Sequence, residues 1–198
     1  MSWPALLPVV PPGPRMTADE WEALPEDEPG ELVDGRLEEE EVPDAVHELT
    51  VSWLVWVLRA WLAGSGFVFG SDLRLRLGPT WGRKPDACVY LPGRRVPRKG
   101  ALREPPDIAI EVVTPTPKDE RRDRVEKMDE YARFNVRWYW LVDPALGSIE
   151  VFELDAAGRY ARVLAVTQGT TRQVPGCPGL TLDADALWAE LSRLDAEE

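Results

Sequence analysis

Cysteine, histidine and basic charge are all scarce in this sequence. Its 198 residues include two cysteines, Cys88 and Cys177, and a single histidine, His47. The cysteines are far apart and lack metal-ligand spacing, which argues against a disulfide framework. Cys88 is expected as a buried reduced thiol, and a reducing cytoplasm as the compartment. Apolar runs are short. The longest, residues 51–63, is broken by Arg59, so no membrane-spanning segment is expected. Internal repeats and low-complexity tracts are missing too. The opening MSWPALLPVVPPGPRM lacks the basic start of a signal peptide and holds four prolines within residues 8–14. Residues 1–15 therefore read as a flexible arm, and residues 16–198 as one domain.

The charge is unevenly spread. The formal net charge is −12, which taken alone argues against a nucleic-acid partner. Residues 19–44, however, hold thirteen acidic residues and only Arg36 on the basic side, so this segment carries the whole excess. Residues 83–127 hold twelve basic and eight acidic residues, a net of +4. Within them, GRRVPRKG gathers Arg94, Arg95, Arg98 and Lys99 in one loop, which is either solvated or a phosphate contact. Nine tryptophans and an ordinary apolar fraction indicate a chain with a real core.

Periodicity and turn chemistry predict an α/β domain with a mixed sheet. MTADEWEALP reads as a short helix with a Thr17–Glu20 capping box. ELVDGRLEE reads as a hairpin about Asp34–Gly35. From Asp44 as N-cap to a stop at Gly64, a helix carries Leu54, Leu58, Trp61 and Leu62 at helical spacing. Trp53, Trp56 and Trp61 cannot all share one face of it, so one is expected away from the core. DLRLRLG alternates, with Leu73, Leu75 and Leu77 inward and Arg74 and Arg76 outward. Two strands follow, at roughly 85–91 and 107–113. Next comes a charged helix with a predicted apolar stripe through Val125, Met128, Tyr131 and Ala132. VRWYWLVDP is a strand, SIEVFEL and RYARVLAV form a C-terminal hairpin, and DADALWAELSRL is a last helix.

The two central strands pose a problem. KPDACVY and DIAIEVV each place a carboxylate, Asp86 and Glu111, in an apolar run, at a cost of several kcal/mol unless it is paired or binds a metal. Side chains at i and i+2 share a face, so Asp86 lies with Cys88 and Tyr90. Glu111 lies with Ala109 and Val113, opposite Ile108, Ile110 and Val112. If the strands are neighbours, the two acids can meet and form an oxygen site suited to Mg²⁺ or Mn²⁺. Such a site points to phosphoryl chemistry.

ELVDGRLEE, the helix carrying His47, KPDACVY, IAIEVVTPTP and RRDRVEKMDEYARFNVRWYWLVDP, in this order, resemble the Uma family of restriction-endonuclease-like proteins. That family falls within the PD-(D/E)XK nuclease superfamily, and the resemblance runs from about Met16 to Trp188. It implies a restriction-endonuclease-like fold: a mixed central sheet flanked by helices, with N- and C-terminal hairpins. It also implies that Asp86 and Glu111 bind the metal, with the Val112 carbonyl as a third ligand. The superfamily's lysine two residues after the second acid is replaced here by Val113, and Lys127 on the following helix resembles its substitute. On residues alone, Lys127 reads as a solvated partner of Glu126 or Glu130. His47 matches a family position that could bind a metal-bound water or orient Glu111. Glu31 resembles a glutamate that completes the site, or is a surface hairpin carboxylate. Asp107 and Asp123 are not first choices, the former being out of phase with Glu111.

The implied activity is metal-dependent hydrolysis of DNA, with phosphates held by Arg94, Arg95, Arg98, Lys99, Arg121, Arg122 and Arg124. By analogy with the superfamily, a homodimer is expected. Two other readings stand beside it. One is an inactive DNA-binding protein of the same fold, motivated by Val113 and the net acidity. The other is a structural or regulatory oligomer whose acidic N-terminal segment docks on the basic one.

Overall fold

The computed structural model describes residues 15–25, 30–38 and 43–194. The predicted arm at 1–15 lies almost wholly outside them, as do the acidic tracts at 26–28 and 39–41. The chain opens with α1 (Ala18–Glu22), capped by the Thr17–Glu20 box. The hairpin β1 (Glu31–Val33) and β2 (Arg36–Glu38) turns at Asp34 and Gly35, both at positive φ as a type I′ turn requires. Helix α2 (Ala45–Leu62) starts at the Asp44 cap, and Ala63 ends it in the left-handed region, one residue before the expected stop.

Two sheets follow. β4 (Leu75–Gly78) and β5 (Trp81–Arg83) complete a four-stranded sheet of order β2-β1-β5-β4. The larger sheet has six strands in the order β10-β9-β8-β7-β6-β3. These are β3 (Phe67–Phe69), β6 (Ala87–Tyr90), β7 (Ile108–Val112), β8 (Trp138–Asp143), β9 (Ser148–Leu154) and β10 (Tyr160–Val166). Among the strands of this sheet in the described residues, only β7 and β8 pair in parallel. β11 (Thr170–Thr171), β12 (Leu182–Asp183) and α5 (Ala184–Leu191) close the chain.

One face of the large sheet, with Ile108, Ile110 and Val112, packs on α2 and α5 residues such as Leu54, Leu58 and Leu187. The other face carries Cys88, Tyr90, Ala109 and Val113 and is covered by Leu75 of the small sheet and by Tyr131. β7 is therefore buried at all five residues, Glu111 included. A parallel pair cannot close through a tight turn. The chain between β7 and β8 must cross a sheet face, and it does so as a helix in three parts. These are α3 (Pro117–Arg121), a π-helical turn (Arg122–Glu126) and α4 (Lys127–Arg133). This crossover passes over the Glu111 face.

Two sequence expectations fail here, the second in part. Arg74 and Arg76 do not face water. Arg74 donates to the carbonyls of Trp21, Glu22, Leu24 and Pro25 and stacks on the Trp21 ring. Arg76 pairs with Asp19 and Glu22. Both hold α1 to the small sheet. The apolar stripe on the crossover helix holds only in part: Tyr131 is buried and Met128 packs against the core, but Val125 is 55% exposed, and the buried line runs through Asp119, Asp123, Lys127 and Tyr131. Carboxylates and an ammonium are buried there because they neutralise one another, a pairing that hydropathy cannot register. Of the three α2 tryptophans, Trp56 is the exposed one.

Candidate active site

β6 and β7 run antiparallel, with Ala87 opposite Ile110 and Cys88 opposite Ala109. The same register, extended one step, sets Asp86 against Glu111 at the strand ends. Asp86 Oδ2 accepts the Val112 N–H at 2.7 Å and lies 3.2 Å from His47 Nε2. Glu111 is 1% exposed. Its Oε2 takes Lys127 Nζ at 2.7 Å and its Oε1 takes the Tyr131 hydroxyl at 2.8 Å.

The crossover helix makes this possible through its π turn. Asp119, Asp123, Lys127 and Tyr131 recur every four residues. In an α-helix, four residues overshoot a full turn by about 40°. The wider i→i+5 winding of residues 122–126 turns that drift back and keeps the line over the sheet. Lys127 thereby also reaches Asp123 Oδ1 at 3.8 Å and Glu31 Oε1 at 3.5 Å. The solvated alternative for Lys127 is thus excluded: the side chain is buried among carboxylates. Glu31 is no surface carboxylate either. It is 3% exposed, accepts the Lys84 N–H at 2.8 Å and pairs with Arg83 at 2.7 Å. Arg122 joins Asp119 at 2.8 Å and Asp123 at 3.3 Å. Glu31, His47, Lys84, Asp86, Glu111, Arg122 and Lys127 line a cleft of about 190 Å³.

The cluster shapes its own protonation. Burial opposes charge on Lys127, but Glu111, Glu31, Asp123 and Asp86 outweigh it and hold the group as an ammonium, its pKa raised. Burial would raise Glu31 as well, yet Lys127, Arg83 and the Lys84 N–H bring it down to about 2. Glu111 is pushed well above the usual carboxylate range by burial and by the like charges of Asp86, Asp123 and Glu31, against the opposing pull of Lys127. The Lys127 shift favours the ion pair and the Glu111 shift opposes it. The contact geometry decides for the ammonium, since Lys127 has three carboxylates within 4 Å. For His47, the cost of burial is exceeded by the Asp86 bond and by the charges of Asp86, Glu48 and Asp44, so its pKa is raised.

A family model described as "Putative restriction endonuclease", Uma2, matches residues 18–185. This chain belongs to the Uma2 family. A crystal structure of a "putative nuclease belonging to DUF820 from Anabaena variabilis ATCC 29413" shares its fold. The TM-score is 0.72 and the identity 22%, over 89% of this chain and 99% of that one. No curated protein matches the sequence.

For a Uma2 chain the position two residues after Glu111 is informative. Val113 is 2% exposed and packs with Tyr131 and Leu141. The ammonium that touches Glu111 comes instead from the helix above, at Lys127. Among the described residues, no three His, Cys, Asp or Glu side chains form a preassembled metal cluster. The donor chemistry nonetheless fits a hard divalent cation. Asp86 and Glu111 supply oxygens at facing positions, and a second cation would relieve the repulsion that, after burial, raises the Glu111 pKa. Asp86, Glu111 and the Val112 carbonyl are the groups that would hold it.

The predicted phosphate contacts divide into two sets. Arg94 pairs with Asp107, Arg121 with Glu126, and Arg124 with Asp143 and Glu150; Arg122 is committed as described. Arg95, Arg98 and Lys99 are exposed. Their loop follows the far end of β6, four residues from Asp86, which is roughly 13 Å at strand rise. They do not line the cleft. Sequence reasoning missed Arg83, Glu130 and Tyr131 as site neighbours. The only available signal was RK directly before Pro85-Asp86, and nothing in it marks a buried arginine. Asp107, set aside for its phase, indeed points elsewhere: it accepts the Leu91 N–H at the far strand end.

Proposed function

We propose that this Uma2 chain is a divalent-metal-dependent endonuclease that hydrolyses DNA phosphodiester bonds. The observation that carries this reading is the juxtaposition of Asp86 and Glu111 on adjacent strands with Lys127 Nζ 2.7 Å from Glu111. Mg²⁺ or Mn²⁺ held there would polarise a phosphoryl oxygen and lower the pKa of a water. Lys127 brings a fixed positive charge to the same carboxylate, where it can offset charge developing on phosphate. Tyr131 and Lys127 together fix the Glu111 rotamer, and the Val112 N–H with His47 fixes Asp86. Arg122 and Lys84 border the cleft and favour an anion there. The chain would then need no large rearrangement to present its donors.

The test is plasmid nicking at low salt with Mg²⁺ or Mn²⁺ against EDTA, comparing the parent with Asp86→Asn and Lys127→Ala. Metal-dependent nicking that both substitutions abolish is the expected result. A parent inert on every DNA form, or an Asp86→Asn protein as active as the parent, would overturn it.

One observation bears on the regulatory reading. Two acids of the N-terminal segment pair with basic residues of the same chain: Glu22 with Arg103 at 3.0 Å and Glu31 with Arg83 at 2.7 Å. These contacts are already made in a single copy, so they do not require an oligomer.

A further inference from the structure

Arg83 is fully buried and uses both sides of its guanidinium. Nε and Nη2 donate to Glu130 at 2.5 and 2.8 Å, and Nη1 donates to Glu31 Oε2 at 2.7 Å. The other oxygen of Glu31 faces Lys127 Nζ at 3.5 Å. Lys127 and Glu130 stand one turn apart on α4. The contacts therefore close a ring: Lys127 to Glu31, Glu31 to Arg83, Arg83 to Glu130, and back along the helix to Lys127. The ring ties the N-terminal hairpin and β5 to the crossover helix at the residue that touches Glu111.

Burying an arginine in this way is a poor route to stability alone, because apolar residues of similar volume often do as well or better. What a bidentate guanidinium adds is geometry. Lys127 has a flexible four-carbon stem and three carboxylates to choose among. With Glu31 clamped by Arg83 and the Lys84 N–H, that choice is narrowed, and the ammonium stays on Glu111.

We infer that Arg83 and Glu130 are positioning residues of the reaction centre, acting through Glu31 to fix the Lys127 ammonium on Glu111. The inference rests on the nuclease reading for its purpose, though the placement of Lys127 can be checked without any cleavage. The hairpin that carries Glu31 becomes a working part of the centre rather than an appendage. Lysine at position 83 would be a weak substitute, since one ammonium cannot grip Glu130 with two bonds and reach Glu31 as well.

The chain has only four lysines, so ¹⁵N-lysine labelling resolves the Lys127 ammonium by NMR, with Lys127→Arg giving the assignment. In the parent, the buried group should show a slowly exchanging NζH₃ signal. Arg83→Gln is expected to abolish that protection and lower the nicking rate by about 100-fold, in kcat rather than KM. Arg83→Lys should restore part of both. Glu130→Gln, which keeps the side-chain shape, should shift the signal and serves if Arg83→Gln does not fold. A folded Arg83→Gln or Glu130→Gln protein whose Lys127 signal is unchanged overturns the assignment. If the parent never nicks DNA but the signal responds as stated, the nuclease reading fails and the positioning role stands.

Discussion

Lys127 Nζ stands 2.7 Å from Glu111 Oε2 although sixteen residues separate the two in the chain. The parallel pairing of β7 and β8 forces the intervening chain across the sheet face from which Glu111 projects. The π turn at 122–126 then aims Lys127 downward. The ammonium that meets Glu111 is thus delivered from the layer above the sheet rather than from the strand that carries the carboxylate.

Replacing Lys127 with alanine should therefore act on two readouts. Nicking is expected to fall by about 100- to 1,000-fold, the usual loss when one preorganised positive donor is removed. Stability should also fall, by about 3–5 kcal/mol, because Glu111, Glu31 and Asp123 would share a buried site without their common cation. Urea unfolding and initial nicking rates measure the two separately. Loss of neither would show that Lys127 is a bystander.

Asp86→Asn keeps an oxygen for the Val112 N–H and removes the charge. The expected outcome is a folded protein that has lost Mn²⁺ binding by calorimetry. In the parent, Mn²⁺ should raise Tm with concentration, and EDTA should reverse the gain, since a ligand bound only to the native state stabilises by mass action. An undiminished Mn²⁺ isotherm in Asp86→Asn would remove Asp86 from the metal set.

The exposed loop cations should behave differently from the paired ones. On the uncleaving Asp86→Asn background, alanine at Arg95, Arg98 and Lys99 together should reduce the slope of log Kobs against log salt by up to about 3, near one for each phosphate that is no longer neutralised. Arg124→Ala, whose partners are Asp143 and Glu150, should leave the slope alone and lower Tm. Fluorescence anisotropy with a labelled duplex is the measurement. Identical slopes for all proteins would take the loop out of the DNA interface.

Acid sensitivity should trace to Glu31. Its pKa is depressed in the folded state, from 4.5 to about 2. Its ionised form therefore adds stability that is complete above pH 4.5 and is lost as pH falls towards 2. The size is about 3 kcal/mol from the shift. Glu31→Gln should flatten the fall in unfolding free energy between pH 5 and about 2. An unchanged acid limb in Glu31→Gln would place the proton uptake on other groups.

Much of this molecule is legible in local chemistry. The Thr17 box, the Asp34-Gly35 turn, the Asp44 cap and the alternation in DIAIEVV depend on neighbours a few residues apart, and each has one backbone solution. Alternation alone put Glu111 with Val113 and Asp86 with Cys88, and strand adjacency then brought the two carboxylates together. Only the N-terminal part of the buried face of the helix at 117–134 departs from its apolar pattern, because that part is charged. Hydropathy scores single residues, whereas the desolvation of Asp119, Asp123 and Lys127 is offset only by partners that arrive in three dimensions.

The order of residues alone thus marked the main helices and the central strands and named Asp86 and Glu111, but not the short strands β3 and β5. It could not settle which of the many arginines would be committed to internal pairs and which would remain exposed in the loop after β6. Nor could it show that Arg83, adjoining Lys84 and the Pro85-Asp86 pair, is buried at the centre of a ring joining the hairpin to α4. Those outcomes belong to the packing of the small sheet and the crossover helix on one face of the large one. Charges distant in sequence are there brought within 4 Å in a poorly solvated space, where pairing outweighs hydration.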